Sequence, residues 1–355
     1  VTDYLNETFR ILDASANRTR EGLRVIEDFA RFVLDDAHLS RLLKERRHEL
    51  AEIMAQLPES SLLSARDTLQ DVGTTITTAA ESHRSSAIDV VQAAFKRSQE
   101  AMRTLEEYGK VIAPSTAPRF EQLRYQLYSL EKAVLRTESA SRRLDSQRLY
   151  VLVQSQQCSS NLESVVKSAL DAGVRLIQLR EKTLSDRDFV NLARRLRKWT
   201  ASQEALLIIN DRPDIAVVSE ADGVHVGQDE LTVHDARRVV GPNRIVGVST
   251  HSIEQARAAV LDGADYLGVG PTFQSGTKSF SEFPGTHFVA QVAAEIRLPW
   301  YAIGGIDTSN IEEVVRAGAT RVAVSGAICR TPSPAVAAKH LLDVLMKDHQ
   351  SNRLG

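Results

Sequence analysis

Tyr266-Leu-Gly-Val-Gly-Pro-Thr-Phe-Gln-Ser-Gly-Thr-Lys278 is a short apolar run that breaks off into a glycine-bracketed loop carrying small hydroxyls and one lysine. Glycine lets the backbone approach an anion closely, and hydroxyls, amides and an ammonium supply the donors that phosphate oxygens require. An ordinary tight turn after a strand has the same look, so the surroundings of the run decide its meaning. Comparable β-branched and apolar runs recur at 149–153, 176–179, 206–209, 223–226, 245–248, 300–303 and 322–324. Segments with helical periodicity lie between them, including 161–172, 185–200, 252–261 and 310–317. Ser185-x-x-Asp188 and Ser309-x-x-Glu312 suit helix starts, the second as a capping box. Strand and helix repeated this way imply a parallel sheet, and about eight such units in some 200 residues favour a closed (β/α)8 TIM barrel over an open sheet. No Gly-x-Gly-x-x-Gly follows the first run, which disfavours a dinucleotide fold.

Before residue 137 the pattern is different. Apolar or small residues recur at Leu5, Phe9, Leu12, Ala16, Leu23, Ile26, Ala30 and Val33, with Thr19 interrupting, and predict one long amphipathic helix. Further helical patterns cover 39–57, 87–108 and 120–135, the third ended by Gly109 and Pro114 and the fourth opened by Pro118. The polar stretch 64–75 reads as a loop. The chain is therefore expected to hold an all-α helical-bundle domain at 1–136, a polar serine-rich linker at 137–147 and the barrel at 148–348. In the bundle, Arg18, Glu21, Arg24 and Asp28 share one stripe and Lys96, Glu100, Arg103 and Glu107 another. Exposed ion pairs account for both, as does a polar pocket completed by Arg66, Asp67, Asp71 and Thr74; the spacing leaves both open.

The chain has 355 residues, a formal charge of −2 and ordinary apolar and charged fractions, which argues against nucleic acid or an anionic membrane as the main partner. Any phosphate chemistry must then be local. Cys158 and Cys329 have no metal spacing and fit a reducing compartment. No apolar run is long enough to span a membrane, and the start lacks a basic region followed by an apolar one, so a cytoplasmic location is the expectation.

A closed barrel builds its site from loops at the C-terminal ends of its strands. Those ends carry Gln178, Arg180 and Lys182; Asn210 and Asp211; His225, Gln228, Asp229 and Glu230; Ser249 and His251; Ser275, Thr277 and Lys278; Gly304 and Gly305; and Ser325 and Gly326. Singly, each has an ordinary structural explanation as a helix cap, a packed imidazole or a surface ion pair. Stability does not require all of them at one end of a barrel.

Gln178-Leu-Arg-Glu-Lys182, Asn210-Asp211, Ala221-Asp-Gly-Val-His-Val-Gly-Gln228, Gly247-Val-Ser-Thr-His251, Gly263-Ala-Asp-Tyr-Leu-Gly-Val-Gly-Pro271, Thr277-Lys278 and Ala302-Ile-Gly-Gly-Ile306 together resemble the thiamine phosphate synthases, over roughly 149–338. Those transferases join hydroxymethylpyrimidine diphosphate to hydroxyethylthiazole phosphate, releasing pyrophosphate with Mg²⁺. The resemblance implies that Arg180, Lys182, Asn210, Ser249 and Lys278 hold the diphosphate, and that Gln178 and His225 orient the pyrimidine. It implies that Ser275, Thr277, Gly304, Gly305, Ser325 and Gly326 meet the thiazole phosphate. Asp211 and an acid near residue 230 would bind Mg²⁺. The family's second metal aspartate falls at Glu230, with Asp229 beside it as a substitute. Ser275 stands where a threonine is expected, and Ser325-Gly326 replaces an apolar residue followed by serine. The loop from Gly270 through Gly276 to Glu282 is expected to close over the barrel mouth. A thiazole tautomerase on the same barrel is the alternative, disfavoured by Lys278 and Asp211.

In the first part, Arg10-Ile-Leu-Asp-Ala-Ser-Ala-Asn-Arg-Thr-Arg-Glu-Gly-Leu-Arg-Val-Ile-Glu-Asp-Phe-Ala30, Asp71-Val-Gly-Thr74 and Phe95-Lys-Arg-Ser-Gln-Glu-Ala-Met-Arg-Thr-Leu-Glu-Glu-Tyr-Gly109 resemble the helical domain fused ahead of that synthase in some bacteria. That resemblance implies a hydroxymethylpyrimidine phosphate kinase using ATP, although no Gly-x-x-x-x-Gly-Lys-Ser/Thr loop marks an ATP site. A non-catalytic module for docking or homo-oligomer formation is the other reading.

Overall fold

The computed structural model describes residues 3–67, 83–274 and 283–351. The chain divides into two compact units, Val1–Leu135 and Arg136–Gly355. The first contains α1 (Asp3–Phe32), α2 (Ala37–Met54), α3 (Glu59–Ala65), α4 (Ala87–Ile112) and most of α5 (Ala117–Arg143).

Helix α1 buries Leu12, Ala16, Leu23, Ile26 and Ala30, as its period predicts. Its ends depart from the prediction, because Leu5 and Val33 are exposed. Thr19 does not interrupt the stripe: it is fully buried, and its hydroxyl donates to the Ser15 carbonyl at 2.9 Å. Gly109 does not end α4, which runs three residues further. Part of the expected loop 64–75 belongs to the short helix α3. Both polar stripes are knit by ion pairs, Arg24 with Glu27 and Asp28 in one, and Arg103 with Glu106 and Glu107 in the other. Arg66 forks onto Asp13 of α1 with two bonds of 2.7 Å, and Arg10 donates to the Asp67 carbonyl. Asp71 and Thr74 lie outside the described residues.

The stretch expected to be a linker, 137–147, is largely helical. Helix α5 continues to Arg143, with Arg142 bonded to Glu138 one turn back and Thr137 and Ala140 buried. Serine content lowers helix propensity only slightly, so one buried face overrides it.

In the second unit, β1 (Leu149–Val153), β2 (Leu176–Leu179), β3 (Leu206–Asn210), β4 (Gly223–Val226), β5 (Ile245–Thr250), β6 (Tyr266–Val269), β7 (Trp300–Ile303) and β8 (Val322–Val324) form a closed parallel barrel. Closure comes from β1 pairing β8, with Leu149 opposite Val322. The intervening helices are α6 (Leu162–Asp171), α7 (Asp186–Ser202), α8 (Pro213–Val218), α9 (Val233–Val240), α10 (Ile253–Asp262), α11 (Gly285–Glu295) and α12 (Ile311–Arg316), followed by α13 (Gly326–Cys329) and α14 (Pro334–Ser351). Ser185 caps α7 as predicted, accepting from the Asp188 amide at 3.2 Å. Ser309 does not cap α12. Its amide and hydroxyl both bond Asp307, and the helix starts after Asn310. Among the described residues, no helix is long and apolar enough to cross a membrane.

Tyr150, Leu176, Ile208, Ile245, Tyr266, Tyr301 and Ala323 pack as one buried cluster. Side chains alternate across a strand, so positions two residues further along β2, β3 and β5 point the same way. Stepping from Leu176 to Gln178, from Ile208 to Asn210 and from Ile245 through Gly247 to Ser249 leads from this core to polar groups. The polar end of each step is the C-terminal end of its strand.

Candidate active site

A cavity of about 470 Å³ opens at those C-terminal ends, bordered by polar side chains from successive strands. Every expected site residue among the described ones lies on its wall except Gln228 and Asp229. Ser275, Thr277 and Lys278, with the part of the expected closing loop from Gly276 to Glu282, lie outside the described residues.

Lys182 and Asp211 form the charged side of the mouth. The Lys182 ammonium donates to Asp211 Oδ2 at 2.7 Å, and Asn210 Nδ2 donates to the same oxygen at 2.6 Å. Asp211 immediately follows β3 with a left-handed φ of 59°, while its amide donates to the His225 carbonyl at 2.8 Å. Aspartate tolerates that backbone better than most side chains, and such strain is characteristic of functional sites. Arg180 follows β2 and donates to Gln154 Oε1 at 3.2 Å. Its neighbour Glu181 turns the other way, accepting from the amide and hydroxyl of Ser155 at 2.7 and 2.6 Å. An Arg180–Glu181 surface ion pair is therefore not what that dipeptide makes.

Deeper in the cavity lie Gln178 on β2, His225 on β4 and Ser249 on β5. Gln178 is 1% exposed, and its Nε2 donates to the Tyr150 hydroxyl at 2.6 Å, while its Oε1 is buried without a partner. A buried acceptor without a partner costs about 1–3 kcal/mol until a donor meets it. His225 Nδ1 is 3.0 Å from the Tyr266 hydroxyl and its Nε2 is 2.9 Å from Ser249 Oγ. Gly247 makes the inner end possible: an added Cβ there would sit 2.0 Å from Tyr266 Cζ. Burial pushes the Tyr150 and Tyr266 hydroxyls well above the ordinary tyrosine range, so both stay neutral.

The opposite wall is made by Gly304 and Gly305 after β7, both at positive φ, and by Ser325 and Gly326 after β8. Ser325 Oγ donates to Gln157 Oε1 at 3.4 Å. Sequence reasoning missed five polar residues at this end: Gln154, Gln157, Gln274, Asp307 and Arg330. The Arg330 stem passes Gly326, its Cδ 3.7 Å from where a Cβ on that glycine would be. Gln154 and Gln157 follow β1, the strand to which no site residue was assigned, so the strand-end rule itself would have found them.

A divalent metal needs hard oxygen ligands. Asp211 has one oxygen engaged by Lys182 and Asn210, which leaves Oδ1 for an ion. Glu230 lines the cavity beside Gly227, where an added Cβ would lie 2.2 Å from its Oε2. Asp229 is exposed and lies outside the cavity wall. No cluster of three or more His, Cys, Asp or Glu occurs among the described residues, so an ion here would take its remaining ligands from substrate or water. The residues fit Mg²⁺, which is commonly held by one or two carboxylates and substrate phosphates.

Residues 149–328 match the family model described as thiamine monophosphate synthase. The chain is 46% identical over 328 residues to the thiamine-phosphate synthase of Rhodopirellula baltica, an alignment covering 90% of this chain and 88% of that protein. This chain belongs to the thiamine-phosphate synthase family. It is a transferase of that family, and its relatives carry the synthase name over both units. The thiamine-phosphate synthase of Synechocystis sp. is 40% identical over 338 residues, covering 95% of this chain and 96% of the relative. Among solved structures, the thiamine phosphate pyrophosphorylase from Pyrococcus furiosus matches with a TM-score of 0.53 at 30% identity, over 57% of this chain and 97% of its own. Residues 10–133 match the ThiD2 family, so a helical pyrimidine kinase-like unit precedes the synthase barrel.

Proposed function

We propose that the barrel joins hydroxymethylpyrimidine diphosphate to hydroxyethylthiazole phosphate, with Arg180, Lys182, Asn210 and Ser249 on the diphosphate and Gln178 and His225 on the pyrimidine. The observation that carries this reading is the graded cavity, with a charged mouth at Lys182 and Asp211 above a buried, partnerless Gln178 acceptor. An exocyclic amine on the pyrimidine would satisfy that acceptor. The reaction breaks the bond between the pyrimidine methylene and the diphosphate, and the thiazole nitrogen supplies the electron pair for the new carbon–nitrogen bond. The ring stabilises the developing cation, so the protein's task is to stabilise the departing negative charge.

Arg180 and Lys182 supply positive charge, and Asn210 and Ser249 supply neutral donors. Asp211 and Glu230 would hold Mg²⁺, which would neutralise charge on the leaving diphosphate. Asp229, exposed and off the cavity wall, is the weaker candidate ligand. Gly304, Gly305, Ser325 and Gly326 would receive the thiazole phosphate at the opposite wall, as barrel phosphate sites commonly do. Lys278, Ser275 and Thr277 are assigned to the diphosphate and thiazole phosphate by family resemblance alone. A nitrogen nucleophile needs no Ser/His or Cys/His pair.

The test is formation of thiamine phosphate from the two heterocycles with Mg²⁺. Asp211→Ala and Lys182→Ala should each reduce turnover by about 10²-fold or more. Near-normal coupling by either variant would overturn its assignment. The helical unit is proposed to phosphorylate hydroxymethylpyrimidine phosphate with ATP, on the strength of its ThiD2 match. Incubating the full chain with ATP, Mg²⁺ and that monophosphate should yield the diphosphate. Absence of product would leave the non-catalytic docking or homo-oligomer module as the reading.

A further inference from the structure

We propose that Tyr150 and Tyr266 are positioning residues that fix the direction of a buried hydrogen-bond chain from Gln178 to Ser249 and so hold the Ser249 hydroxyl as a donor into the cavity. This rests on the reading that Gln178 and Ser249 touch the pyrimidine diphosphate, and adds a link between them.

The chain has four bonds. Gln178 Nε2 donates to the Tyr150 hydroxyl at 2.6 Å, the Tyr150 and Tyr266 hydroxyls are 2.8 Å apart, Tyr266 meets His225 Nδ1 at 3.0 Å, and His225 Nε2 meets Ser249 Oγ at 2.9 Å. Tyr150 is 2% exposed and Tyr266 is fully buried, and neither lines the cavity.

Each hydroxyl has one proton to give. Tyr150 accepts from the amide, so its own proton goes to Tyr266. Tyr266 then gives its proton to His225 Nδ1. A neutral imidazole that accepts at Nδ1 carries its proton on Nε2 and donates it to Ser249 Oγ. The Ser249 proton is left for the cavity, and among the described residues that hydroxyl has no other partner.

Reversing the first bond reverses all the others. If residue 178 offered Tyr150 an acceptor, Tyr266 would donate to Tyr150 and His225 would carry its proton on Nδ1. Ser249 would then spend its proton on Nε2 and present only lone pairs to an anion. The orientation of one buried amide therefore decides whether a serine across the barrel attracts or repels negative charge. The orientation present here leaves Gln178 Oε1 unpartnered, so a ligand donor at that oxygen holds the amide in place. Binding of the pyrimidine would thereby prepare Ser249 for the diphosphate, through two tyrosines that touch neither. Chains of buried hydrogen bonds polarise one another, which favours one direction throughout.

The tautomer of His225 reports the direction. Full-length protein carrying ¹⁵N-histidine would be studied by long-range ¹H–¹⁵N NMR in mildly alkaline buffer, where an ordinary imidazole is neutral. The His225 signal is assigned by its loss in His225→Gln. The wild type is expected as the Nε2–H form, Gln178→Glu as the Nδ1–H form, and Tyr266→Phe as a mixture. An Nδ1–H wild type, or Nε2–H retained in Gln178→Glu, overturns the proposal. In steady-state kinetics, Tyr266→Phe and Tyr150→Phe keep the rings and leave the cavity wall intact, and each should lower kcat by about 10-fold with KM for the pyrimidine diphosphate unchanged. Wild-type kcat in Tyr266→Phe also overturns it. Ser249→Ala separates the two levels: full turnover there refutes the site assignment, whereas a loss there beside a normal Tyr266→Phe refutes only the positioning role.

Discussion

Arg330 shows at the residue scale what a strand-end inventory overlooks. It lies five residues beyond Ser325, past a full turn of helix, so nothing in its local sequence marks it as part of the site. The short helix α13 turns the chain back, and the Arg330 stem passes over Gly326 onto the cavity wall. We predict that Arg330→Ala raises KM for the thiazole phosphate by about 10-fold while KM for the pyrimidine diphosphate stays the same, since an arginine on a phosphate is a charge-assisted contact. Equal changes in both constants, measured with the partner substrate saturating, would remove Arg330 from that end of the site. The residues that were legible share a simpler signal: Asn210, Asp211, His225 and Ser249 interrupt or end apolar runs. Tyr150 and Tyr266 gave no such signal. As members of apolar runs they read as core, which they are. That their hydroxyls meet each other and His225 depends on how β1, β4 and β6 face one another across the barrel.

At the scale of elements, two similar serine motifs came out differently. Ser185 and Ser309 each stand three residues before an acid, but only Ser185 has its hydroxyl free for the helix. Asp307 takes the amide and hydroxyl of Ser309, a local turn that competes with capping. Ser185→Ala should therefore destabilise the chain by about 1 kcal/mol, read as a lower denaturant midpoint. Ser309→Ala should not lose stability through α12 capping, and equal losses in the two would contradict the distinction. All eight strands were readable because parallel strands covered on both faces are short apolar runs with sharp ends. The 137–147 stretch was misread for the opposite reason. It has few apolar residues, yet Thr137 and Ala140 are enough to bury one face of a helix.

For the whole molecule, the barrel interior sets a pH limit. Tyr150, Tyr266 and Tyr301 all titrate above the ordinary tyrosine range, chiefly because burial penalises the phenolate. Unfolded tyrosines ionise near pH ~10 and these do not, so the folded state binds more protons above that pH. The stability they contribute is complete below about pH 10 and falls as pH rises beyond it. A spectrophotometric titration should show three of the seven tyrosines ionising only together with unfolding. All seven ionising while the barrel's circular dichroism is intact would contradict this.

Pairing of β1 with β8 also has a consequence for how the chain is made. A ribosome delivers the helical unit before the barrel. The first barrel strand emerges next, but the strand that covers its free edge is the last to appear. During synthesis, then, each new strand extends an open sheet with two exposed edges, the kind of surface that recruits other chains. Nascent chains stalled before residue 322 should be captured by a holdase chaperone and released once residues 322–324 have cleared the exit tunnel. Capture that persists equally in both would mean that the edge is covered in some other way.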